Sequence, residues 1–263
     1  MMNEMISVLM TVFNNDIFVK KSIQSILGQT YDNFEFIIVD DGSTDKSYEM
    51  LNSINDKRLK IYRLKKKIGR TKALNFGLKK CNTNIISIQD SDDISNNDRL
   101  EKTMKIFSQN QNVGLVFTNY DFINSKGEII EDRKSLIRPE YFRSDLTYMN
   151  VIAHSSVTFK RNFLSNEKIF YDESFIYAQD YHLILRFLKD SKLYLINEKL
   201  LRIRDHKKNM SNLKIYAKIR LLENLKLLNF SKKNLNLNFS NKLKIKLNEF
   251  KNYIKLLKIF LGE

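Results

Sequence analysis

Apolar runs of strand length alternate with helix-like patterns over the first half of the chain. Between these runs, apolar residues recur at intervals of three and four, as at Ile23, Ile26 and Leu27, which predicts helices that bury one face. Alternating strands and helices predict an α/β fold, with a mostly parallel sheet and helices on both of its faces. The predicted strands are Ile6–Val12, Phe34–Val39, Leu59–Leu64, Ile85–Ile88 and Val113–Tyr120.

The pattern changes near Val113. Shorter apolar runs, a polar loop around Gly127 and the only proline of the chain, Pro139, predict a second half of mixed strand direction. We therefore expect a domain over residues 1–212 that consists of two halves, residues 1–112 and residues 113–212. A third segment, residues 213–263, follows.

This C-terminal segment is basic and helical in pattern. From Ile215 to Glu263 it carries eleven Lys and Arg against three acidic residues, a net charge of +8. Three interpretations are open: a helix packed on the domain, a seam between two copies in a homodimer, or a helix whose residues 242–263 lie on an anionic membrane. The apolar stripe repeats at intervals of four and three, through Leu243, Leu247, Phe250, Ile254, Leu257 and Leu261.

Carboxylates follow two of the predicted strands directly. Asp40 and Asp41 follow one strand, and Asp90, Asp92 and Asp93 follow another. Such a cluster repels itself unless a cation lies among its members, and oxygen ligands suit a hard divalent ion such as Mg²⁺ or Mn²⁺. Because ligands of open α/β sheets bind at the carboxyl ends of the strands, the two clusters predict a nucleotide-plus-metal site. The alternative is that these residues are turn and helix-cap residues.

Five motifs in order along the chain resemble family 2 glycosyltransferases with the GT-A fold, and the resemblance continues to about Asp205. The chain departs from the family pattern at Met10 and at Asn96–Asn97, where the family often has proline, and at Gln179, where it usually has Glu. The motifs are Ser7–Asn14, Ser25–Tyr31, Val39–Asp45, Asp90–Asp93 and Ile176–Tyr181.

The resemblance implies a metal-dependent transfer from a nucleotide diphosphate. A bound Mn²⁺ or Mg²⁺ would neutralise the leaving phosphates. Asp92 is the first candidate for a direct ligand, and Asp90 and Asp93 bind the metal directly, through water, or bind the donor sugar. His206 resembles a position on a closing loop near the diphosphate, and we place it with the metal ligands; the alternative is a solvated loop residue.

The resemblance also implies a pocket for a UDP-sugar, in residues 1–112. Asp40 matches the carboxylate that accepts a hydrogen bond from the uracil N–H. Thr11 and Phe13 match the wall of the nucleoside pocket, although the family commonly has Tyr at the second position. Arg70 matches a basic residue near base or phosphate, with an ordinary first-turn helix residue as the alternative. The predicted nucleotide-sugar site is Thr11, Phe13, Asp40, Arg70, Asp90, Ser91 and His154; His154 could equally be a core histidine.

Asp180 is the candidate general base, in the acceptor half over residues 113–212. An acceptor hydroxyl needs its proton removed as it attacks the anomeric carbon, and one carboxylate opposite the leaving group gives inversion. The alternative role for Asp180 is a helix N-cap at the start of a helix over Tyr181–Leu188. His182 lies two positions further and is predicted to lie on the surface.

Composition limits the class of protein. The chain has 263 residues, a net charge of +15, one Cys and three His, which excludes a disulfide scaffold and a Cys-rich zinc site. The first strand follows the N-terminus without a signal-peptide pattern, and no apolar run reaches about 18 residues. We expect a cytoplasmic protein, free or peripheral on the inner face of the plasma membrane.

Two alternatives to sugar transfer are a sugar-phosphate nucleotidyltransferase and a non-enzymatic nucleic-acid binder. A sugar-phosphate nucleotidyltransferase would carry a Gly-rich loop after the first strand, and Thr11–Asn15 has no glycine. A non-enzymatic nucleic-acid binder would fit the sequence pI of 9.6, but no nucleic-acid-binding motif is present, and we expect no nucleic-acid partner. The sequence favours an inverting transferase that moves a sugar from a UDP-sugar to a saccharide or lipid-linked acceptor in bacterial-type surface polysaccharide assembly.

Overall fold

A computed structural model describes residues 4–134, 137–164, 170–206 and 214–261. Within these residues the strands form one nine-stranded sheet in the order β3-β2-β1-β4-β8-β6-β9-β5, and β7 pairs with β6. The strands are β1 (Ile6–Val12), β2 (Phe34–Asp40), β3 (Leu59–Arg63), β4 (Ile85–Ile88), β5 (Ile94–Ser95), β6 (Val113–Ile123), β7 (Ile129–Lys134), β8 (Thr158–Lys160) and β9 (Lys192–Arg204).

Most α-helices lie between strands in the sequence, and two follow the last strand, β9. Three short 3₁₀ helices, His154–Ser156, Arg161–Leu164 and Lys214–Tyr216, accompany them in the described residues. The α-helices are α1 (Val19–Leu27), α2 (Ser47–Asn52), α3 (Arg70–Leu78), α4 (Arg99–Gln109), α5 (Phe142–Asp145), α6 (Gln179–Asp190), α7 (Ala217–Asn234) and α8 (Phe239–Leu261).

The sheet has a parallel part and a mixed part. β3, β2, β1 and β4 are parallel neighbours, which confirms the strand–helix alternation predicted for the first half. β8 then pairs antiparallel with β4 and with β6, while β9 runs parallel to β6 and antiparallel to β5. The predicted α/β fold with a mixed second half is therefore confirmed.

The core lies on both faces of the sheet. β1 alternates between the two: Leu9 packs with α3 and α6 on one face, and Val8 and Met10 pack with α1 and α4 on the other. Strands buried on both faces need near-continuous apolar sequence, which is why β1, β2 and β4 were recognisable as mostly apolar runs.

The C-terminal segment contains two long helices, α7 and α8. The predicted domain boundary after residue 212 falls outside the described residues, as do the last two residues of the predicted segment 242–263. Among the helices that the structure describes, none combines the length and the apolar character needed to cross a membrane.

Candidate functional site

The carboxyl ends of three neighbouring parallel strands form the candidate site. β1 lies between β2 and β4, and Val12 stands opposite Asp40 in the register. The loops that leave these strands therefore start at one edge of the sheet, where ligands of open α/β sheets bind. The Ser91 hydroxyl accepts a hydrogen bond of 2.8 Å from the Asn15 amide, which joins the loops after β1 and β4. Predicted site residues from both acidic clusters are thus brought together.

Asp40 ends β2 with one carboxylate oxygen that accepts no hydrogen bond from the described residues. The side chain is fully buried. Its Oδ1 accepts a hydrogen bond of 3.0 Å from the Ser43 backbone, whereas Oδ2 accepts none from the described residues. Oδ2 lies 3.4 Å from Nε of Arg63. A buried acceptor without a hydrogen bond is costly unless a ligand supplies the donor.

Asp41 organises the loop that faces Asp40. Its carboxylate accepts backbone hydrogen bonds of 2.7 Å from Ile68 and 2.9 Å from Gly69. Burial raises the pKa of Asp41, although these two bonds oppose the rise. The same loop places the ammonium of Lys67 3.9 Å from the ring centre of Phe13. Phe13 is thus half-buried beside a cation at the end of β1.

Thr11 lies near the carboxyl end of β1, two residues before Phe13, and its side chain is half-buried. Its neighbour in register on β2 is Val39, the residue before Asp40. Thr11, Phe13 and Asp40 therefore lie next to one another, as the predicted nucleoside wall requires. No described contact of Thr11 assigns it a more specific task.

Arg70 and Asp90 form an ion pair at the centre of the site. Nη2 of Arg70, the first residue of α3, donates to Oδ1 of Asp90 at 2.6 Å. Burial alone would raise the pKa of Asp90, but the Arg70 guanidinium holds it well below its ordinary value. Burial would lower the pKa of Arg70, and its carboxylate neighbours raise it instead. Both groups are charged, and neither is an ordinary surface residue.

His154 orients this ion pair from the other side. Its Nδ1 lies 2.9 Å from Nη2 of Arg70 and 3.6 Å from Asp90 Oδ1, too far for a hydrogen bond. Because a guanidinium only donates, Nδ1 accepts and Nε2 carries the hydrogen. Nε2 then donates to the Tyr171 hydroxyl at 2.9 Å. His154 is buried and faces the site, as the family match implies.

Asp92 and His206 form a second pair in the same region of the chain's fold. Oδ2 of Asp92 lies 2.9 Å from Nε2 of His206, and the His206 ring packs on Phe18 with ring centres 5.0 Å apart. Neighbouring ligands of an octahedral ion at about 2.1 Å are about 3.0 Å apart. The 2.9 Å separation is that of a hydrogen bond, and a divalent ion bound by both groups would take the place of the hydrogen between them.

Protein side chains do not complete a metal cage here. Among the described residues, no group of three or more Asp, Glu, His or Cys side chains is placed to hold a metal ion. This agrees with the way in which Mg²⁺ is usually bound, through one or two protein ligands with the remaining positions filled by waters and substrate phosphates.

Asp93 is used inside the protein. It is buried, its Oδ1 accepts a hydrogen bond of 2.9 Å from the Arg204 backbone, and its Oδ2 accepts one from the Ser155 hydroxyl. Burial, with the like charges of Asp92 and Asp90, raises the pKa of Asp93 well above its ordinary value. Each oxygen of Asp93 accepts one hydrogen bond, and Asp93 thereby fixes the loop that carries Asp92. Its predicted binding of the metal ion or of the donor sugar stays a prediction.

Arg204 is a site residue that the sequence did not indicate. It ends β9 and is fully buried, with Nε donating to the Asp92 carbonyl at 2.9 Å. Its guanidinium carbon lies 4.6 Å from the ring centre of Phe18, the ring that also packs on His206. Arg204 thus supports both members of the Asp92–His206 pair, although it lies 112 positions from Asp92 in the sequence.

Asp180 lies in the first turn of α6. Its Oδ2 accepts a hydrogen bond of 3.2 Å from Asn150. The cap of α6 makes no side-chain hydrogen bond, so the alternative role of Asp180 as an N-cap is not realised. After burial and Asp90, the charge of Asp180 acts most strongly on the pKa of Arg70, raising it. The predicted base therefore acts electrostatically on the nucleotide-side residues.

Glu223 holds the loop before Asp180. This buried α7 residue accepts three backbone hydrogen bonds: Oε1 from Ile176 at 2.7 Å, and Oε2 from Tyr177 at 3.0 Å and Ala178 at 2.8 Å. The sequence gave no indication of this role, because Glu223 lies in a segment without motifs and its partners are about 45 positions away.

The prediction that His182 lies on the surface is wrong. Its ring stacks on Phe175, with ring centres 4.8 Å apart, and meets the edge of Phe230 at 5.1 Å. Burial lowers the pKa of His182 to about 4. The helix geometry was right, since His182 does point away from Asp180, but α7 and the 171–175 loop cover that face of α6.

The sequence matches a model of one protein family, described as Glycosyl transferase family 2, over residues 7–171. Among curated proteins, the O-antigen biosynthesis glycosyltransferase WbnJ of Escherichia coli is 35% identical over 195 residues, which are 71% of this chain and 73% of that protein. An uncharacterized glycosyltransferase of Haemophilus influenzae is 40% identical over 129 residues, 48% of this chain and 51% of its own length. The chain thus spans about half of the Haemophilus relative.

Solved structures share the fold. TarS 1-349 of S. aureus superposes with a TM-score of 0.71 at 16% identity, over 97% of this chain and 73% of that chain. Its complex with UDP-GlcNAc gives 0.73, over 94% and 72%. The mannosyltransferase PcManGT of Pyrobaculum calidifontis, in complex with GDP-Man and Mn²⁺, gives 0.68 at 16% identity, over 95% and 71%. These likenesses confirm the predicted GT-A type of α/β fold.

Proposed function

The chain belongs to glycosyl transferase family 2, and from this premise we propose that it transfers a sugar from a UDP-sugar to a hydroxyl of a saccharide or lipid-linked acceptor. The observation that carries the proposal is a set of three carboxylates, each in a different local environment. Asp40 offers a buried acceptor, Asp92 pairs with His206, and Asp180 approaches from α6. Sugar transfer needs three such groups: one to bind the uracil base, one to hold the ion that neutralises the donor's phosphates, and one to remove the proton of the acceptor hydroxyl.

Residues 1–112 would bind the nucleotide. Uracil carries an N–H donor at N3, and Oδ2 of Asp40 is a buried acceptor that lacks one. Phe13 offers a ring for packing on the base, and Lys67 over that ring adds a positive charge. Arg70, held by Asp90 and His154, would face the diphosphate or the donor sugar, and Ser91 lies on the same loop as Asp90. This set supports a UDP-sugar as donor.

Asp92 and His206 would hold Mn²⁺ or Mg²⁺, with Asp90 close by. When bound, the ion neutralises the charge that develops on the leaving diphosphate. Arg204 would fix the relative position of the pair without binding the ion itself. It donates a hydrogen bond to the Asp92 carbonyl and packs on the Phe18 ring, which in turn packs on His206. The Mn²⁺ in the PcManGT structure supports a divalent ion in a protein of this fold.

Asp180 would act as the general base. The acceptor oxygen forms its bond to the anomeric carbon while the bond to the diphosphate oxygen breaks; the hydroxyl proton passes to Asp180, and the bonding electron pair leaves with UDP. One displacement of this kind inverts the anomeric configuration. Asn150 steadies the carboxylate through one oxygen, which leaves the other for the acceptor. Residues 113–212 would thus form the acceptor side of the cleft.

The similarity to an O-antigen biosynthesis glycosyltransferase supports an acceptor in surface polysaccharide assembly. A screen of UDP-sugars for release of UDP, with Mn²⁺ present and with GDP-mannose as the matched control, tests the proposed function. We expect UDP release from at least one UDP-sugar. Release from GDP-mannose alone would overturn the assignment of the donor, and release from neither donor, with or without saccharide acceptors, would overturn the proposed activity.

Asp40→Asn is expected to change which pyrimidine the site prefers. The amide keeps an oxygen for the Ser43 N–H, so its NH₂ would replace Oδ2 and meet the uracil N–H as a second donor. We expect UDP affinity to fall by roughly tenfold to a hundredfold, because the charged acceptor is lost. The affinity for CDP, whose N3 is a hydrogen-bond acceptor, should fall much less or should rise. Calorimetry with UDP and CDP measures both; an equal loss for the two nucleotides would contradict the base contact.

A further inference from the structure

The apolar stripe of α8 points away from the protein. We call the six residues Leu243, Leu247, Phe250, Ile254, Leu257 and Leu261 the outward stripe; they are between 41% and 68% exposed. At 3.6 residues per turn they fall within an arc of about 80°. The buried residues of α8 lie on the opposite side of the helix: Asn241, Ile245, Asn252 and Leu256.

The arrangement is the reverse of an ordinary surface helix, which buries its apolar stripe against the core. On the inward side, only Ile245 and Leu256 among the described apolar residues of α8 are buried. Polar groups make further contacts there: Asn241 accepts from Ser144 at 2.7 Å, Asn248 donates to the Tyr148 carbonyl at 2.6 Å, and Glu249 pairs with Lys232 of α7 at 2.7 Å. Of the three interpretations left open by the sequence, packing of the stripe on the domain is therefore excluded.

Lysines border the outward stripe on both sides. Lys242 and Lys246 lie along one edge, and Lys251 and Lys258 along the other, with Lys255 further round. All five are exposed. Glu249 is the one acidic residue within Phe239–Leu261, and it is occupied by Lys232. The stripe thus has a wholly cationic rim.

The charge of the rim distinguishes between the two remaining partners for the outward stripe, a second copy of this chain and an anionic membrane. A symmetric dimer would place the same surface of two copies face to face, so that lysine rims would meet lysine rims, and like charges in contact oppose association. An anionic lipid surface complements the rim, and its acyl region accepts the apolar stripe.

We propose that the outward stripe of α8 docks this protein onto an anionic lipid bilayer, with the apolar side chains at the boundary of headgroups and acyl chains and the rim lysines among the lipid phosphates. The helix lies in the plane of the surface. This inference does not depend on the proposed transfer activity, since the stripe is remote in sequence from every residue of the cleft.

Vesicle sedimentation of the full chain tests the proposal, with vesicles of phosphatidylglycerol and phosphatidylcholine in equal parts against phosphatidylcholine alone. Leu247→Ser/Phe250→Ser should weaken binding to the anionic vesicles by at least about tenfold, because two apolar side chains lose their burial. The matched control, Ile17→Ser/Ile129→Ser, removes two side chains of similar exposure, 68% and 54%, and should bind like the wild type. All four residues are exposed, so unchanged thermal midpoints are expected.

The charge contribution has its own control. Lys251→Gln/Lys255→Gln/Lys258→Gln should weaken binding by about a hundredfold, which corresponds to about 1 kcal/mol for each lysine. Lys20→Gln/Lys21→Gln/Lys57→Gln removes the same charge elsewhere and should have a much smaller effect. Equal losses in the two triple variants, or no binding of the wild type to anionic vesicles, would overturn the proposal. A wild-type dimer that Leu247→Ser/Phe250→Ser converts to monomer would establish a second copy as the occupant instead.

A separate observation supports a second inference, about α7. Glu223 accepts hydrogen bonds from three successive backbone N–H groups that end at Ala178, the cap residue of α6. Asp180 follows two positions later. The cap of α6 makes no side-chain hydrogen bond of its own. The backbone N–H of the cap residue, Ala178, is the donor that the Glu of a capping box normally takes, and Glu223 takes it from α7.

The geometry points to Glu223 as the positioning residue for Asp180; this inference rests on the proposed role of Asp180 as base. In Glu223→Gln, one of the two acceptor oxygens becomes an NH₂ group that faces backbone donors. We expect kcat to fall by about tenfold or more with the dissociation constant of UDP unchanged, since a small displacement of the base affects transfer and not donor binding. Glu249→Gln, at the α7–α8 contact, is the matched control and should keep kcat.

A double-mutant cycle separates positioning from general destabilisation. If Glu223 acts through Asp180, Glu223→Gln should cost nothing further in the Asp180→Asn background. Additive losses in the cycle, or normal kcat in Glu223→Gln, would overturn the positioning role while leaving the base intact. Normal transfer by Asp180→Asn alone would instead overturn the proposed base, so the two failures are distinguishable.

Discussion

Asp92→Ala is expected to lower the rate of sugar transfer by about 10³-fold, one of the two largest effects anticipated for this protein. Charge stabilisation at the leaving group is usually the largest single catalytic contribution, and Asp92, paired with His206, is the proposed ligand of the divalent ion. Steady-state assays of UDP release from the donor that the wild type uses would measure the loss.

Chelation of the wild type should reproduce this loss, and added Mn²⁺ or Mg²⁺ should restore the activity of the wild type but not of the variant. Asp98→Ala is the matched control. It removes a partly exposed carboxylate that lies six positions after Asp92 and pairs with Lys102, and it should keep the wild-type rate. Full activity of the wild type in chelator would show that the proposed metal dependence is wrong.

Asp180→Asn is expected to abolish transfer while UDP still binds. Asn keeps the size of the side chain and an oxygen that can accept from Asn150, but it cannot take a proton from the acceptor. General-base contributions are typically about 10²–10⁴-fold, so the loss should appear in kcat. By calorimetry with UDP and Mn²⁺, the dissociation constant should change by less than about threefold.

Asp190→Asn provides the control for this change, because Asp190 is an exposed carboxylate at the other end of the same helix. It should transfer sugar at the wild-type rate. Near-normal transfer by Asp180→Asn, or loss of UDP binding with it, would remove Asp180 from the role of base and leave it as a residue of helix α6 alone.

The fold could be predicted to a large extent because its signal is local. β1 and β4 appear as mostly apolar runs with the bounds that the structure gives, Ile6–Val12 and Ile85–Ile88. Strands of a parallel sheet are buried on both faces, so their sequences are nearly continuous in apolar residues. The acidic residues after β2 and β4 were recognisable for the same reason, since a parallel sheet puts all such strand ends on one edge.

What the sequence did not reveal depends on contacts between distant segments. Arg204 and Glu223 support the two predicted catalytic regions through backbone groups, and backbone contacts leave no trace in the identity of the partner residue. His182 is covered by Phe230 of α7, which is 48 positions away. The stripe of α8 was visible as a periodic pattern, but a pattern alone does not say whether a face points inward or outward.

The central claim is that one cleft binds UDP together with a divalent ion held by Asp92. The most direct test is calorimetric titration of UDP into the wild type and into Asp92→Ala, each in the presence of Mn²⁺ and of chelator. We predict that Mn²⁺ tightens UDP binding to the wild type by at least about tenfold, or 1.4 kcal/mol, and that this gain disappears in Asp92→Ala. Equal affinity of the wild type with and without Mn²⁺, or an undiminished gain in Asp92→Ala, would contradict the account.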